Sequence, residues 1–586
     1  MPSLDWIGRQ AVIRHHTEVP FRLLEPVAGL SCGEASGNLL VQGDNLDALK
    51  ALLPRYAGRV KCVYIDPPYN TGNEGWSYND NVNSPEIQRW LGEVVGKEGE
   101  TLDRHDRWLC MMYPRLVLLR QFLHDNGAIF ISIDDNESGS LRFLCDEIFG
   151  TSCFVADVSW QRTYSTRNDS KGIVREVEHI LCYGKQADWQ PDKLPRTAAM
   201  NAKYKNPDND VREWRSDNPF APGAATHQGM VYAIQHPFTG AMLYPSNGSC
   251  WRYQQDMMLE IMRGWCDYEL RDLQDAKERA KVCGVPENEV RQGVMGIVLS
   301  KPLEESAAQA QKVYDRGQWP RFFFSKQGKG GIARKTYLEH VGGKLVTNFW
   351  SHSETGHTDE AKKEMLAIFN GIATFDTPKP TRLIQRILAI CPDKDALVLD
   401  SFAGSGTTGH AVLKQNAEDG GNRRFITVEM DADIAEKVTA KRLKNAIDGY
   451  TTTRGEAVPG LGGGFQFCRL SPEPLFTAAG EIRPDVTFAQ LADFVWFQET
   501  GTGYAGNADS PLLGVHEGRA VYLLYNGILK DKSVSGGNVL TQAVYQTLPP
   551  HGGPKVIYAA ASRGATWLRR ENITFKQTPY ALEVQA

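Results

Sequence analysis

Two short segments carry side chains that could do chemistry, and each follows an apolar run. In the first, VKCVYIDPPYNTG (60–72), the run ends at Asp66, Pro67, Pro68 and Tyr69. Prolines fix φ and donate no backbone N–H, so they hold the Asp66 carboxylate and the nearby carbonyls in one direction as hydrogen-bond acceptors. Such acceptors suit the two N–H bonds of an exocyclic amino group, and Tyr69 could stack on the ring that carries it. Taken singly, the same residues are more typical of a surface turn.

The energies are compatible with a nucleobase extruded from a duplex. Flipping a base costs a few kcal/mol, whereas stacking on an aromatic ring returns ~1–3 kcal/mol. A hydrogen bond to a charged group adds ~1.5–3 kcal/mol. Bonding both N–H groups would also draw the nitrogen lone pair out of ring conjugation and direct it at an electrophile.

The second segment is a glycine turn, ALVLDSFAGSGTTGHAV (396–412), with Gly404, Gly406 and Gly409 between an apolar strand and a helix. This GxGxxG spacing lets backbone approach a ligand closely, and Glu429 at the end of the next strand could bond to ribose hydroxyls. A tight turn without a ligand is the alternative. The flanking strand, the helix and the following acid favour a cofactor that contains a nucleoside.

The surrounding elements predict how the two segments are positioned. Residues 39–150 alternate between apolar strands and amphipathic helices, and the alternation resumes over 371–450, which predicts a mostly parallel α/β sheet with helices on both faces. Ligands bind beyond the carboxyl ends of such strands. We therefore expect Asp66 and the turn Phe402–Gly406 to share one crevice. Only one clear strand follows the glycine turn, so the other strands must precede it and the sheet is predicted to be circularly permuted.

Composition divides the chain further. A stretch punctuated by Pro and Gly interrupts the alternation and predicts an inserted domain, and a region of mixed strands follows PGLGGGFQF. The long polar and aromatic segment from Asn70 to Asp106 is typical of a functional lid. The predicted regions are an N-terminal arm (1–37), the catalytic half of the sheet (38–185), the inserted domain (186–370), the cofactor half (371–450) and a small α/β C-terminal domain (451–586).

The bulk composition excludes several classes of protein. The chain has 586 residues and a net charge of −5, which excludes a uniformly basic, histone-like protein. No apolar run approaches the ~18 residues of a membrane helix, and the first residues lack the pattern of a secretory signal. We therefore expect a cytoplasmic protein without a membrane segment. The eleven cysteines are scattered without a CxxC pair, which predicts reduced thiols and no metal site.

Several motifs together resemble a known family. DPPY ahead of SFAGSGTT resembles the β-type amino-group DNA methyltransferases, in which the catalytic motif precedes the S-adenosylmethionine motif. IDPPYNTG, MYPRLVLLRQFL, IFISIDDNE, LCDEIFG, EHILCYGK, HPFTG and FDTPKP resemble the Mod subunits of type III restriction-modification systems over most of residues 38–445. The resemblance implies a circularly permuted Rossmann-like sheet with an inserted target-recognition domain. It also implies methyl transfer from S-adenosylmethionine to adenine N6 in double-stranded DNA, a homodimer and a separate restriction subunit.

The resemblance also implies roles for individual positions. Asp66, Pro67, Pro68 and Tyr69 would hold the adenine, since Asp at the first position favours adenine over cytosine. The implied cofactor-binding residues are Asp44, Thr377, Asp400, Phe402, Gly404, Gly406, Thr407 and Glu429. Asp44 could instead cap the helix NLDALKALL.

A basic stretch predicts where DNA is contacted. Residues 312–344 contain eight Lys or Arg against two acids, interleaved with aromatic residues, a composition that suits phosphate contact. A solvated charged face is the alternative, and RFFF is more typical of a core than of a wedge between bases. The expected DNA-binding residues are Arg321, Lys326, Lys329, Arg334 and Lys335.

Two other classes of protein and one other substrate fit part of this pattern. A nicotinamide-dependent oxidoreductase could use the same glycine turn, but it leaves DPPY and the inserted domain unexplained. A non-catalytic DNA-binding module could keep a remnant cofactor pocket, although intact Asp66 and Tyr69 argue against it. An RNA substrate would fit the same chemistry, but the large insert favours sequence recognition in a duplex.

Overall fold

The computed structural model describes residues 4–34, 37–71, 104–164, 173–391, 393–531 and 537–582. The chain divides into two compact units. One, the sheet unit, comprises Met1–Asp192 and Val346–Ala586, and the other, the inserted unit, comprises Lys193–Leu345. Most of the predicted lid, residues 72–103, lies outside the described residues.

The sheet unit is built on a mixed sheet of eleven strands among the described residues. The central strand Val60–Ile65 is buried at every position except Lys61, as expected for a parallel strand with both faces covered. The predicted α/β sheet is confirmed. The strands in order across the sheet are Arg22–Pro26, Gly464–Pro474, Leu39–Gln42, Arg424–Glu429, Leu397–Asp400, Val60–Ile65, Leu123–Ile133, Val177–Gly184, Phe154–Gln161 and Phe349–Trp350, and Cys32–Gly33 pairs with Gly464–Pro474.

The centre of this sheet brings the two segments together. Leu397–Asp400, which precedes the glycine turn, pairs in parallel with Val60–Ile65 on one side and with Arg424–Glu429 on the other. Parallel neighbours about 4.8 Å apart end at the same edge of a sheet. Asp66 and the glycine turn therefore follow adjacent strand ends.

Helices pack against the sheet through apolar stripes. Thr381–Ile390, for example, buries Leu383, Ile384, Ile387 and Leu388 on one face, the spacing of an amphipathic helix. The longer helices of this part of the unit are Asn45–Tyr56, Arg104–Phe122, Ser138–Phe149, Thr358–Ile368, Thr381–Ile390, Thr407–Asp419 and Ala440–Asp448.

The sheet extends further than the sequence predicted. Gly464–Pro474, predicted within a separate C-terminal domain, pairs in parallel with Leu39–Gln42. Arg22–Pro26, predicted as part of an N-terminal arm, pairs antiparallel with Gly464–Pro474. The physical reason is that Leu39–Gln42 would otherwise expose an unpaired apolar edge. The remaining C-terminal chain forms a four-stranded sheet of Leu512–His516, Arg519–Leu523, Lys555–Ala559 and Ile573–Gln577, with the helix Phe488–Thr500 as the longest of its helices.

The inserted unit has an aromatic core of its own, which includes Trp214, Trp251, Trp265 and Phe322. A four-stranded sheet consists of Met242–Leu243, Ile234–Gln235, Gly296–Leu299 and Tyr268–Arg271, and a three-stranded sheet of Phe322–Phe324, Ile332–Tyr337 and Trp214–Asp217. Its main helices are Gln255–Arg263, Ala276–Cys283 and Leu303–Arg316.

All eleven cysteines are free thiols, as the sequence predicted, and all eleven are buried. Within the described ranges, no helix is both long and apolar enough to cross a membrane. The same part of the chain contains no group of three or more His, Cys, Asp or Glu side chains that could hold a metal ion.

Candidate active site

One cleft of the sheet unit joins the two chemical segments. It encloses about 500 Å³ of empty space, part of it open to solvent. Asp66 and Pro68 line it from the first segment, Phe402 from the glycine turn and Glu429 from the next strand end. The lining residues that the sequence did not predict are Asn45, Met111, Arg115, Ser401, Val428 and Met430.

The glycines of the turn serve both conformation and packing. Gly404 and Gly406 have φ of +49° and +79°, in the left-handed region where a Cβ is strained. A Cβ on Gly406 would also lie 3.0 Å from the side chain of Thr439. Gly409 acts differently, because a Cβ there would lie 2.7 Å from Leu443 and force the packed helices apart.

Glu429 ties the turn to the strand beside it. Its two carboxylate oxygens accept the backbone N–H groups of Gly404 at 2.8 Å and Asp431 at 2.9 Å. Burial raises the pKa of Glu429 to about 8, although both N–H donors act in the opposite direction. The carboxyl group therefore lines the cleft as a fixed polar group.

Asp400 and Thr407 lie within the turn and outside the set of cleft-lining residues. The Asp400 carboxylate accepts the Phe402 N–H at 2.9 Å and the Thr408 hydroxyl at 2.5 Å. Burial raises the pKa of Asp400 to about 7, against these two hydrogen bonds. The Thr407 hydroxyl donates to the backbone carbonyl of Lys379 at 3.2 Å. Both side chains thus fix the shape of the turn.

Arg442 is a buried support of the same turn that the sequence did not predict. Its guanidinium donates to the hydroxyls of Ser405 at 3.0 Å and Thr407 at 2.9 Å. It also pairs with Glu364 at 3.0 Å. No sequence signal pointed to it, because its helix reads as an ordinary amphipathic helix.

Asp44 and Thr377, for which the resemblance implied cofactor binding, do not line the cleft. Asp44 caps the helix Asn45–Tyr56 and accepts hydrogen bonds from the N–H groups of Leu46 at 2.8 Å and Asp47 at 3.3 Å. Helix capping was the alternative role that the sequence offered for Asp44. Asp44 also pairs with the buried Arg115 at 3.1 Å. Thr377 is half-buried in the segment that leads to Lys379.

Asp66 is the centre of a charged network. The Lys379 ammonium donates to its two oxygens at 2.7 and 2.6 Å. The Tyr69 hydroxyl lies 2.8 Å from Asp66 and 3.1 Å from Glu178. The Asp66 side chain is 15% exposed, and burial raises its pKa while the Lys379 ammonium opposes the rise. Lys379 and Glu178 were not predicted.

A hydrogen bond from the helix Arg104–Phe122 holds the turn that follows Asp66. The indole N–H of the buried Trp108 donates to the carbonyl of Pro68 at 2.7 Å. Together with the hydroxyl contacts of Tyr69, this bond fixes the Asp-Pro-Pro-Tyr turn against the helix Arg104–Phe122.

In the inserted unit, one predicted DNA-binding residue is corrected. Lys335 is fully buried, and its ammonium donates to Asp208 and, at 2.8 Å, to Asp210. A lysine enclosed by two carboxylates cannot reach phosphate. The sequence-based prediction was wrong for Lys335 because charge alone does not reveal which face of a strand a residue occupies. Arg334 is partly buried and paired with Asp217 at 2.8 Å.

The other basic residues of this stretch remain on the surface. Arg321, Lys326 and Lys329 are exposed. The aromatic run that follows Arg321 forms the strand Phe322–Phe324 and is buried in the core, as its composition indicated.

The chain was compared with known proteins. A family model described as DNA methylase matches residues 60–228 and 294–441, more than half of the chain. The EcoPI Mod subunit of a type III restriction-modification enzyme from Escherichia phage P1 is 30% identical over 490 residues, which are 78% of this chain and 69% of that protein. The chain belongs to the DNA methylase family. The matched segments of the chain contain every cleft-lining residue except Asn45.

Two further relatives are matched over different shares of their own length. The StyLTI Mod subunit of Salmonella typhimurium is 32% identical over 472 residues, which are 77% of this chain and 62% of that protein. The chain therefore spans less than two thirds of that relative. The type II methyltransferase M.KpnI of Klebsiella pneumoniae is 28% identical over 420 residues, which are 70% of this chain and 85% of that protein.

Proposed function

We propose that this DNA methylase transfers a methyl group from S-adenosylmethionine to N6 of an adenine flipped out of duplex DNA. The observation that carries the proposal is the shared cleft, because Asp66 lines it together with Phe402 and Glu429. One side of that cleft suits an amino group and the other suits a nucleoside.

The residues of the cleft fit a cationic nucleoside cofactor. Phe402 offers an aromatic face, which attracts a cation such as a sulfonium. Glu429 offers a carboxyl group for hydroxyl groups, and Val428 and Met430 add apolar surface. When bound, S-adenosylmethionine would supply an electrophilic methyl group, which leaves sulfur for nitrogen as the S–C bond breaks and an N–C bond forms.

The protein's own residues would position the amine. Asp66 would accept an N–H bond of the target amino group and take up the proton that N6 loses as the new N–C bond forms. Tyr69 would present its ring to the base, with its hydroxyl held by Asp66 and Glu178. These roles are positioning and electrostatics, without a covalent enzyme intermediate.

The remaining parts of the proposal concern the rest of the chain. The sheet is a circularly permuted Rossmann-like methyltransferase sheet, supported by the glycine-turn strand that lies beside Val60–Ile65 although it comes far later in the chain. The inserted unit serves target recognition, and the C-terminal region serves dimerisation or a partner. A homodimer in the cytoplasm is proposed from the sequence, and pairing with a restriction subunit is supported by the similarity to Mod subunits of type III restriction-modification enzymes.

Binding and transfer measurements with matched variants test the proposal. Phe402→Ala should weaken S-adenosylmethionine binding in calorimetry. Asp66→Ala should keep cofactor binding and abolish tritiated methyl transfer to duplex DNA. The control is Asp485→Ala, at a largely exposed carboxylate of the C-terminal region, which should leave both unchanged. Transfer by Asp66→Ala at the wild-type rate would remove Asp66 from the reaction.

A further inference from the structure

Lys379 contacts the proposed catalytic carboxylate of Asp66, yet the proposed methyl transfer gives it no role. It lies between two prolines, just ahead of the helix Thr381–Ile390. Its ammonium reaches both oxygens of Asp66, at 2.6 and 2.7 Å. The side chain is 9% exposed, so the contact is made inside the protein.

The backbone holds Lys379 in this place. Pro378 and Pro380 fix φ on either side of it. Its carbonyl accepts the Thr407 hydroxyl at 3.2 Å, which ties it to the glycine turn. Pro380 packs so closely on Gly356 that a Cβ there would lie 2.9 Å from it. The lysine can therefore move only through its side chain.

The ammonium has a second partner within reach. Glu178 lies 3.8 Å from it and is held by Arg162 at 2.8 Å. An ammonium carries three donors, and two of them are used on Asp66. A small rotation of the side chain would exchange Asp66 for Glu178 without leaving the charge unpaired, which a buried charge requires.

The groups that face Asp66 show what the ammonium does there. Among the residues that the structure describes, Lys379 is the cation that contacts Asp66, and Arg162 pairs with Glu178. The other titratable groups that act on Asp66 or that its charge acts on are Glu178, Asp400, Tyr64 and Tyr69. Without the Lys379 ammonium, the partly buried Asp66 would face the acidic side chains of Glu178 and Asp400. It would then take up a proton. A protonated carboxyl presents an O–H donor, which would bind the amine lone pair that the reaction needs.

We propose that Lys379 is a positioning residue that keeps Asp66 an ionised acceptor and occupies the place of the target amino group until the base enters. An ammonium and an amino group make the same N–H···O bonds to a carboxylate. When the amine arrives, Lys379 turns to Glu178. This inference rests on the proposed function, since it assigns Lys379 a part in the same reaction.

The pH dependence of methyl transfer tests the proposal. The acid limb of kcat/KM for DNA reports on the free enzyme, and that of kcat reports on the complex. In Lys379→Met, the acid limb of kcat/KM should move up by ~1–3 pH units, the effect of a neighbouring opposite charge on an Asp. The limb of kcat should stay in place, because the lysine has already turned away in the complex.

Two further variants sharpen the result. Glu178→Gln removes a neighbouring negative charge and should move the kcat/KM limb in the opposite direction, whereas Lys379→Arg keeps the charge and should leave it in place. A purely structural role would lower activity by the same factor at every pH. If the acid limb of kcat/KM in Lys379→Met coincides with that of the wild type, the proposal is overturned. If the acid limbs of both kcat/KM and kcat shift, the proposed movement of Lys379 from Asp66 to Glu178 is overturned.

A measurement without substrate separates this inference from the proposed function. At pH 7, the infrared difference spectrum between Lys379→Met and the double variant Lys379→Met/Asp66→Asn should show a protonated carboxyl band. The wild type against Asp66→Asn should show none. If the wild type transfers no methyl group to DNA, the proposed function fails, yet this spectrum still decides whether Lys379 keeps Asp66 ionised. Lys379→Gln provides the same comparison if the Met variant does not fold.

Discussion

Removing the buried ammonium of Lys335 should strongly destabilise the inserted unit. The side chains of Lys335 and Asp208 are fully buried, and that of Asp210 is 10% exposed. Lys335→Met leaves two carboxylates facing each other without a cation, and breaking a buried pair in this way costs ~3–5 kcal/mol. For a unit of this size, each kcal/mol lowers Tm by ~2–4 °C. The expected loss is therefore about 6–20 °C.

Calorimetry on the full chain measures this loss, with Lys326→Met as the control. Lys326 is exposed in the same basic stretch, and a surface substitution of this kind changes stability by ~0.5 kcal/mol or less. Burial opposes ionisation of Asp210, but the hydrogen bond and the charge of Lys335, together with hydrogen bonds from Tyr337 and the Arg212 N–H, outweigh burial, so the pKa of Asp210 lies below its ordinary value. The pair therefore stabilises the fold above the unfolded-state pKa, and the difference between wild type and Lys335→Met should shrink as pH falls below about 4. A Tm within ~2 °C of the wild type at neutral pH would refute the buried ion pair.

Three further predictions concern the glycine turn, the buried carboxyl group of Glu429 and two surface lysines. Gly406→Ala should lower Tm and weaken S-adenosylmethionine binding, because an Ala in the left-handed region costs ~1–2 kcal/mol and its Cβ would lie 3.0 Å from the side chain of Thr439. The control is Gly420→Ala, at φ +66° with nothing within 4 Å of the added Cβ, which should leave the affinity for S-adenosylmethionine unchanged. Since the pKa of Glu429 is raised to about 8, the folded state keeps a proton that the unfolded chain loses, and stability falls as pH rises towards 8. Glu429→Gln should flatten the fall of Tm between pH 5 and 8, and equal slopes would count against the raised pKa. Lys326→Gln with Lys329→Gln should reduce the slope of log affinity for DNA against log salt by up to ~1.8, and an unchanged slope removes both from the interface.

The sequence predicted the meeting of Asp66 with the glycine turn because that meeting follows from topology. The carboxyl ends of parallel strands share one edge, and the apolar runs before Asp66 and Ser401 marked those strands. Lys379 and Glu178 were beyond sequence reasoning, because a contact between distant segments leaves no local pattern. Their signal lay only in the motifs FDTPKP and EHILCYGK, which resemblance brought forward without assigning these two residues.

Burial was the other limit of the sequence. Lys335 and Lys326 belong to the same charged run, yet one lies between carboxylates and the other lies in solvent. Lys335 occupies a buried position of the strand Ile332–Tyr337, whereas Lys326 lies in the turn before that strand, and a count of charges cannot reveal either position. The strand Gly464–Pro474 was predicted to belong to another domain for a similar reason. The sequence of Leu39–Gln42 indicates that this strand needs a neighbour in the sheet, but it does not indicate which segment pairs with it.

The identity of the methylated base tests the proposed methyl transfer to adenine N6 most directly. Duplex DNA is incubated with the protein and S-adenosylmethionine labelled in its methyl group, and the DNA is then digested to nucleosides. The label should appear in N6-methyladenine with the wild type and in no nucleoside with Asp66→Ala. Label in a methylated cytosine, or equal label with both proteins, would contradict the proposed transfer.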